Sequence, residues 1–297
     1  MSFLYPTDLA LEAHNMLDKT LSRSLKDGIV SSSRSSRVCQ VDKTHITTPE
    51  AARALSKSEG IYVTLSFAKS DLRTRSVFED AAKELAGELS SLLRLQKGEG
   101  VLVACLGNAH MTPDAIGPET ARHIIPTRHL AKEDNFASLR PVSVIAPGVA
   151  GTTGFESGEL IASAAKCCGA KAIIAVDALT SRSLERLCTT VQLSDTGISP
   201  GSGLGTRHME ITHRTAGARV VSIGIPTLTS AATVAADALK SAGLDPSAAE
   251  GIDPGLFVTA KDIDEKIKFF SRLVGTAVNL ALQPGLSVED IFDLLSV

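Results

Sequence analysis

The sequence predicts an α/β protein: a three-layer, mostly parallel, doubly wound sheet with helices on both faces. Three observations carry this. The runs over 102–106 and 173–176 are continuously apolar, as strands inside a parallel sheet must be, and 219–225 reads as a further strand. Amphipathic helical stretches alternate with these runs, the order that builds doubly wound sheets. Gly- and Pro-rich turns follow the runs at their downstream ends, where open α/β sheets bind ligands.

The 297 residues suffice for one large α/β domain over 1–297, with 1–45 expected as a peripheral, irregular segment. Aromatics are sparse at 4% and Trp is absent, so Val, Ile, Ala and Leu must form the core. A net charge of −3 supplies no basic field for nucleic acid. No apolar run is long enough for a membrane span, and the first residues do not read as a secretory signal; the chain is expected in the cytoplasm. Five Cys without CxxC spacing read as reduced, buried thiols.

In chain order, Thr7 or Asp8 caps a helix start at Leu9-Ala10-Leu11-Glu12. Residues 31–37, SSSRSSR, read as a low-complexity loop. A short helix is expected over 48–57 with Pro49 in its first turn. Residues 61–67 alternate as a strand, and 70–95 form an amphipathic helix with Val77, Ala81, Leu85, Leu89 and Leu92 on one stripe. A strand at 102–106 runs into Gly107-Asn108, and a helix is expected from Pro118 to about residue 130. The strand at 142–146 ends in the loop PGVAGTTGFESGE (147–159), followed by a helix to about 168 and a strand at 173–179. Residues 181–186 read as a turn, 189–193 as a strand, and 194–205, SDTGISPGSGLG, as irregular. The last strand spans 219–225. Helices follow to about 242, over 261–282 and over 287–295, with a loop at 244–256.

Two of the strands end in a single carboxylate. Asp114 follows the 102–106 strand, and Asp177 ends the apolar run at 173–176. Convergent carboxylates repel, one pKa rises, and a single proton is shared. One group can then activate water while the other donates a proton. A helix N-cap at Asp114 and a loop hydrogen-bonder at Asp177 are the plainer readings. Asp195-Thr196-Gly197 reads as an Asx turn, because one DTG copy in an α/β chain does not match barrel-type aspartic proteases. Gly201-Ser202-Gly203-Leu204-Gly205 lacks the spacing of a phosphate loop. His110 lies near Asp114, but no HxxxH or Cys/His cluster supports a metal site.

A resemblance adds to this reading. LGNAHMTPDAIGP with TRHL, PGVAGTTGFESGE, IIAVDALTSRSLERLCTTVQLSDTGISPGSGLG and VVSIGIPT run in order through 101–227. Together with TDLALEAH near the start and FVTAKDIDEKI near the end, they resemble the germination protease family of spore-forming bacteria. The resemblance implies an atypical aspartic endopeptidase, related in fold to hydrogenase maturation proteases, that degrades small acid-soluble spore proteins in the spore core. It places the catalytic pair on Asp114 and Asp177 and requires no cofactor. It also implies an autoprocessed zymogen and a homo-oligomer, tetramer or dimer. With six residues ahead of Thr7, the expected propeptide is very short or differently cut. Two features depart from the family pattern: Cys105 stands where a Gly is usual, and the stretch from 242 to 258 is short. Asn108, the 147–159 loop with Gly148, Gly151, Thr152 and Glu156, and the 194–205 loop with Asp195, Gly201 and Gly203 are expected to contact substrate. Arg182 is expected either to meet an acidic substrate residue or to pair with Glu185 or another acid. A metal-sensing peptidase of the same fold and a non-catalytic binding module are the alternative readings.

Overall fold

A computed structural model describes residues 7–17, 27–67, 74–130, 133, 136, 138–204 and 208–296. The helices are α1 (Ala10–Leu17), α2 (Pro49–Leu55), α3 (Arg75–Leu93), α4 (Ile116–Ala121), α5 (Ala150–Thr153), α6 (Ser157–Cys168), α7 (His213–Ala216), α8 (Ala231–Ser241), α9 (Ile263–Leu282) and α10 (Val288–Leu295). The strands are β1 (Ile29–Ser35), β2 (Cys39–Ile46), β3 (Gly60–Phe67), β4 (Val101–Cys105), β5 (Val142–Ile145), β6 (Ala172–Thr180), β7 (Thr190–Ser194), β8 (Arg219–Ser230) and β9 (Phe257–Val258). Among the described residues no helix is long and apolar enough to cross a membrane.

The strands form one sheet in the order β1-β2-β3-β7-β8-β6-β4-β5, with β9 added to the end of β8. The α/β class and the helices on both faces are as expected. The sheet, however, is mixed. β8, β6, β4 and β5 are parallel, while β1, β2, β3 and β7 pair antiparallel and join β8 antiparallel. The parallel half is the one that the two-faced apolar runs identify: β4 is buried along its whole length.

Strand alternation divides the core by face. Val101, Val103, Cys105, Ile174 and Val176 enter one large cluster with α3 and α9. Leu102, Ala104, Leu106, Ile173 and Ala175 enter a smaller one with Ile161 and Ala165 of α6. A third cluster joins Ala10 and Ala13 of α1, Ala51 and Leu55 of α2, and Tyr62 of β3. Asp177 has the parity of Ile173 and Ala175 and so lies on the face of the two small clusters. That face has a gap between them, and the cavity described below fills it.

The expectation of a peripheral, irregular segment over 1–45 is corrected. Residues 29–46 form a hairpin, β1–β2, with Ile29 opposite Ile46 and Ser35 opposite Gln40. The serines of β1 point into water on an edge strand, where backbone pairing rather than side-chain burial fixes the structure. Arg34 pairs with Glu84 and Glu88 of α3, tying that edge down. Leu9 and Ala10 are fully buried. Residues 1–6, where the expected propeptide would lie, are outside the described residues, as are 70–73 of the expected long helix and Gly205.

Two other elements differ from expectation. The helix expected to reach 130 ends at Ala121, because Pro126 lacks an N–H and restricts the residue before it. Asn279 of α9 instead takes the Ile125 N–H at 3.0 Å and donates to the His123 carbonyl at 2.8 Å. Strand β8 continues through Pro226 to Ser230, with the Pro at a register shift opposite Leu179. All five cysteines are free, but Cys167 is exposed and Cys168 half-buried.

Candidate functional site

From β4 the chain crosses to β5 on one side, while β6 lies on its other side. The point where connections diverge is thus the gap between the carboxyl ends of β4 and β6, the place where such sheets bind ligands. Both expected aspartates are delivered there. Cys105 is level with Val176, and the Leu106 N–H donates to the Val176 carbonyl at 2.8 Å, so β4 ends beside Asp177.

Asp114 closes a turn of 3-10 helix at Thr112–Asp114. The Asn108 N–H donates to the Asp114 carbonyl at 3.1 Å and to its Oδ2 at 2.8 Å. This folds the loop back upon the end of β4. Gly107 permits it: its φ is +114°, and a Cβ there would sit 2.0 Å from the Asp114 carbonyl oxygen. A Cβ at Gly117 would sit 1.9 Å from the Leu106 carbonyl oxygen, so the start of α4 rests directly on the strand. Asp177 is 6% exposed and lies opposite Gly224 of β8, which in turn lies opposite Gln192 of β7.

Burial pushes the Asp114 carboxyl up to about 6, against the Asn108 N–H that favours its ionised form. Asp177 is pushed well above the ordinary carboxylate range, first by burial, then by the charge of Asp114 and also of Asp8, with the Ala178 N–H opposing. The two carboxyls feel each other's charge and titrate as a coupled pair, both raised.

Both aspartates line one cavity of about 620 Å³, a size that holds a few residues of an extended chain. Glu156, Gly201 and Gly203 line it as expected, together with Val149 and Ala150 from the 147–159 loop. Other residues expected to contact substrate do not line this cavity. Gly148 and Thr152 shape that loop instead: Gly148 has φ +73° and accepts from Ser157 Oγ, while Thr152 donates to the Val149 carbonyl. Gly151 is exposed, with open space around its Cα, and is not in the wall. Asn108 acts on Asp114 rather than on the cavity. Asp195 accepts from the Ile61 N–H at 2.7 Å, 134 positions away in the chain, and so pins the start of β3 instead of closing the local Asx turn expected of it. For Arg182 the second of its two expected roles is the one found: it pairs with an acid of the protein, Asp237 of α8, at 3.1 Å, and it does not line the cavity.

The sequence reading missed the opposite wall. Thr7, Asp8, Lys57, Gln192 and His208 all line the cavity. The only local signal was the capped start TDLALE, whose polar groups turn out to be spent on β6 and β7 rather than on capping alone. Among the described residues no group of three His, Cys, Asp or Glu side chains is arranged to hold a metal.

Comparison with known proteins agrees with the motifs. Residues 8–242 match the family model described as germination protease. Germination protease of Clostridium perfringens is 34% identical over 98% of this chain and 98% of its own length. That of Caldanaerobacter subterraneus is 34% identical over 97% of each. A solved [NiFe] hydrogenase maturation protease, HycI from Thermococcus kodakarensis, covers 65% of this chain and 99% of its own, at 14% identity and a TM-score of 0.35.

Proposed function

This chain belongs to the germination protease family and is a peptidase, and we propose that it is a metal-independent endopeptidase that degrades small acid-soluble spore proteins with Asp114 and Asp177 as its reacting pair. The observation that supports this most is the pair itself: two carboxyls with raised pKa at adjacent parallel strand ends, opening into one cavity.

The chemistry follows from the unequal environments. Ionised Asp114 takes a proton from a water, which adds to the peptide carbonyl carbon. Protonated Asp177 first hydrogen-bonds the carbonyl oxygen as negative charge develops there. A proton is then passed to the departing amine, and the shared proton is restored to the pair. The glycines at 201 and 203 leave the cavity wall bare of side chains, so a peptide backbone can lie close to it. The zymogen expectation extends this reading: the same pair would cut within the chain's own N-terminal segment, which N-terminal sequencing after incubation tests.

Separate Asp114→Asn and Asp177→Asn variants test the proposal against purified small acid-soluble spore protein. Each is expected to lose about 10³-fold in kcat, within the range for removing a general acid or base. Chelator is expected to leave the wild-type rate unchanged. Cleavage by either variant at the wild-type rate, or a rate abolished by chelator, refutes it.

A further inference from the structure

We propose that Lys57 is a specificity residue of this site, its ammonium receiving the carboxylate of an acidic substrate side chain that lies a fixed number of positions from the bond to be cut. The inference deepens the reading of Asp114 and Asp177 as the reacting pair and rests on it.

The cavity is acidic, with one exception. Asp8, Asp114, Glu156, Asp177 and Glu210 all line it, and among the described residues Lys57 is the one lysine or arginine in its wall. His208, the other group there that can carry positive charge, is already spent on Glu156, 3.4 Å away. Among the described residues no carboxylate pairs with Lys57; its ammonium donates to a single acceptor, the Thr7 carbonyl at 2.9 Å. That carbonyl belongs to the N-terminal segment within which the proposed self-cleavage falls, so nothing here rests on it. An ammonium has three N–H groups: two remain for a ligand with Thr7 in place, and all three without it.

The backbone fixes where this lysine points. α2 ends at Ser56, whose φ of +51° lies in the left-handed region that residues other than glycine seldom enter. This cap lets the Lys57 N–H reach back to the Ala52 carbonyl at 3.0 Å. Beyond it, Tyr62 Oη donates to the Ser58 carbonyl at 3.0 Å and ties the turn to β3. A lysine just past a helix C-terminus ordinarily extends into water, where its charge also suits the helix dipole. Here the residue is half-buried and faces the cavity. Burial holds its ammonium below the ordinary lysine range, with the charges of Asp8 and Glu12 opposing. A cation drawn out of water calls for an anion beside it.

The walls differ in sign across the gap between the two small cores. Lys57 stands on the α2 side, while Glu156, His208 and Glu210 stand on the side of α6 and α7. An acidic side chain is attracted at the first and repelled at the second, so it enters in one register only. At Lys57 it makes a charge-assisted hydrogen bond. An amide of the same shape leaves the ammonium without a counter-ion, and discrimination follows from that difference.

The test uses peptides that carry one Glu, stepped along an otherwise uncharged sequence, each compared with its Gln counterpart. With wild type, Glu at one position is expected to raise kcat/KM about 10-fold to 100-fold over Gln. Lys57→Met, which keeps the length of the side chain, should bring that ratio close to one, and Lys57→Arg should keep most of it. Lys57→Glu should prefer Lys to Glu at the same position. The ratio is taken within one preparation, so it does not depend on how much of that preparation is active. A lysine with a merely structural role would lower the rates for all peptides alike. A Lys57→Met ratio equal to that of wild type therefore overturns the proposal, and a wild-type ratio near one at every position overturns it without any variant. If Lys57→Met does not fold, Lys57→Glu decides: a preference for Lys supports the role, and a retained preference for Glu overturns it. Where a preparation cleaves nothing, Kd for the same peptides, by calorimetry, takes the place of kcat/KM. A wild type that binds the Glu peptide through Lys57 but cuts nothing keeps the Lys57 site and removes only the peptidase reading.

Discussion

Asp114 and Asp177 differ in what surrounds them, and the difference sets a pH window. Asp114, raised to about 6 by burial, must be ionised to take a proton from water, so kcat/KM rises as pH passes about 6. Asp177 must keep its proton, so activity falls again once pH exceeds its higher value. A bell whose acid limb sits near 6 is the expected profile, and a limb near the ordinary Asp value of 3.8 would contradict it. The same burial has a cost in stability. A carboxyl that holds its proton more tightly when folded than when unfolded destabilises the fold as pH rises above the unfolded value. The loss is about 1.4 kcal/mol for each tenfold difference in proton affinity between the two states. Asp177→Asn is therefore expected to melt at a higher temperature than wild type at pH 7.5. The gain should vanish near pH 3, where both states of the wild type are protonated. Thermal unfolding at the two pH values checks it. Both aspartates were legible in the sequence because each follows an apolar run that only a buried parallel strand explains. Asp8 was not: its partners Thr180 and Ser202 are remote in sequence, and a capping role accounted for it locally.

At the scale of elements, the site is built where backbone meets backbone. α4 starts against the end of β4 because residue 117 has no side chain; a methyl there would collide with a carbonyl oxygen that cannot rotate away. Gly117→Ala is expected to cost about 2–3 kcal/mol, the upper range for overpacking, and to lower kcat by displacing Asp114. Gly87 is the contrast. It lies exposed within α3 with open space around it, so Gly87→Ala should add about 0.5–1 kcal/mol of stability through helix propensity and leave kcat alone. Chemical denaturation with steady-state kinetics separates the two. Elements were legible where burial was two-sided or periodic, as in β4, β6, α3 and α9. The β1–β2 hairpin was not. Its Ser-rich strand owes its conformation to the backbone of β2, and composition alone makes it a loop.

Across the whole molecule the two faces of the sheet are unequal, and the inequality is what leaves room for a cavity. One face is a single continuous core under α3 and α9. The other carries two small cores, one under α6 and one under α1 and α2, with the cavity between them. The mixed topology produces this arrangement: the parallel strands need helices over both faces, while the antiparallel extension through β3 and β7 brings its own short helices. Stability and function should then separate by face. Leu85 of α3 is fully buried in the large core, and Leu55 of α2 is 1% exposed in a small core whose edge is the cavity wall. Truncating either removes similar apolar surface, within the roughly 2–5 kcal/mol range of such substitutions. The Leu85→Ala cavity is enclosed by a core that cannot collapse around it, so its loss should fall at the high end, with kcat/KM of the folded fraction unchanged. Leu55→Ala can relax into the neighbouring cavity, so its stability loss should fall at the low end. It also loosens α2 beneath Lys57, so kcat/KM should drop several-fold. Native-state hydrogen exchange should show the same division, with α1 and α2 opening at lower free energy than β4 and β6. Equal losses of stability with equal losses of activity in the two variants would mean that the faces are not independent, and that the cavity is held open by the fold as a whole.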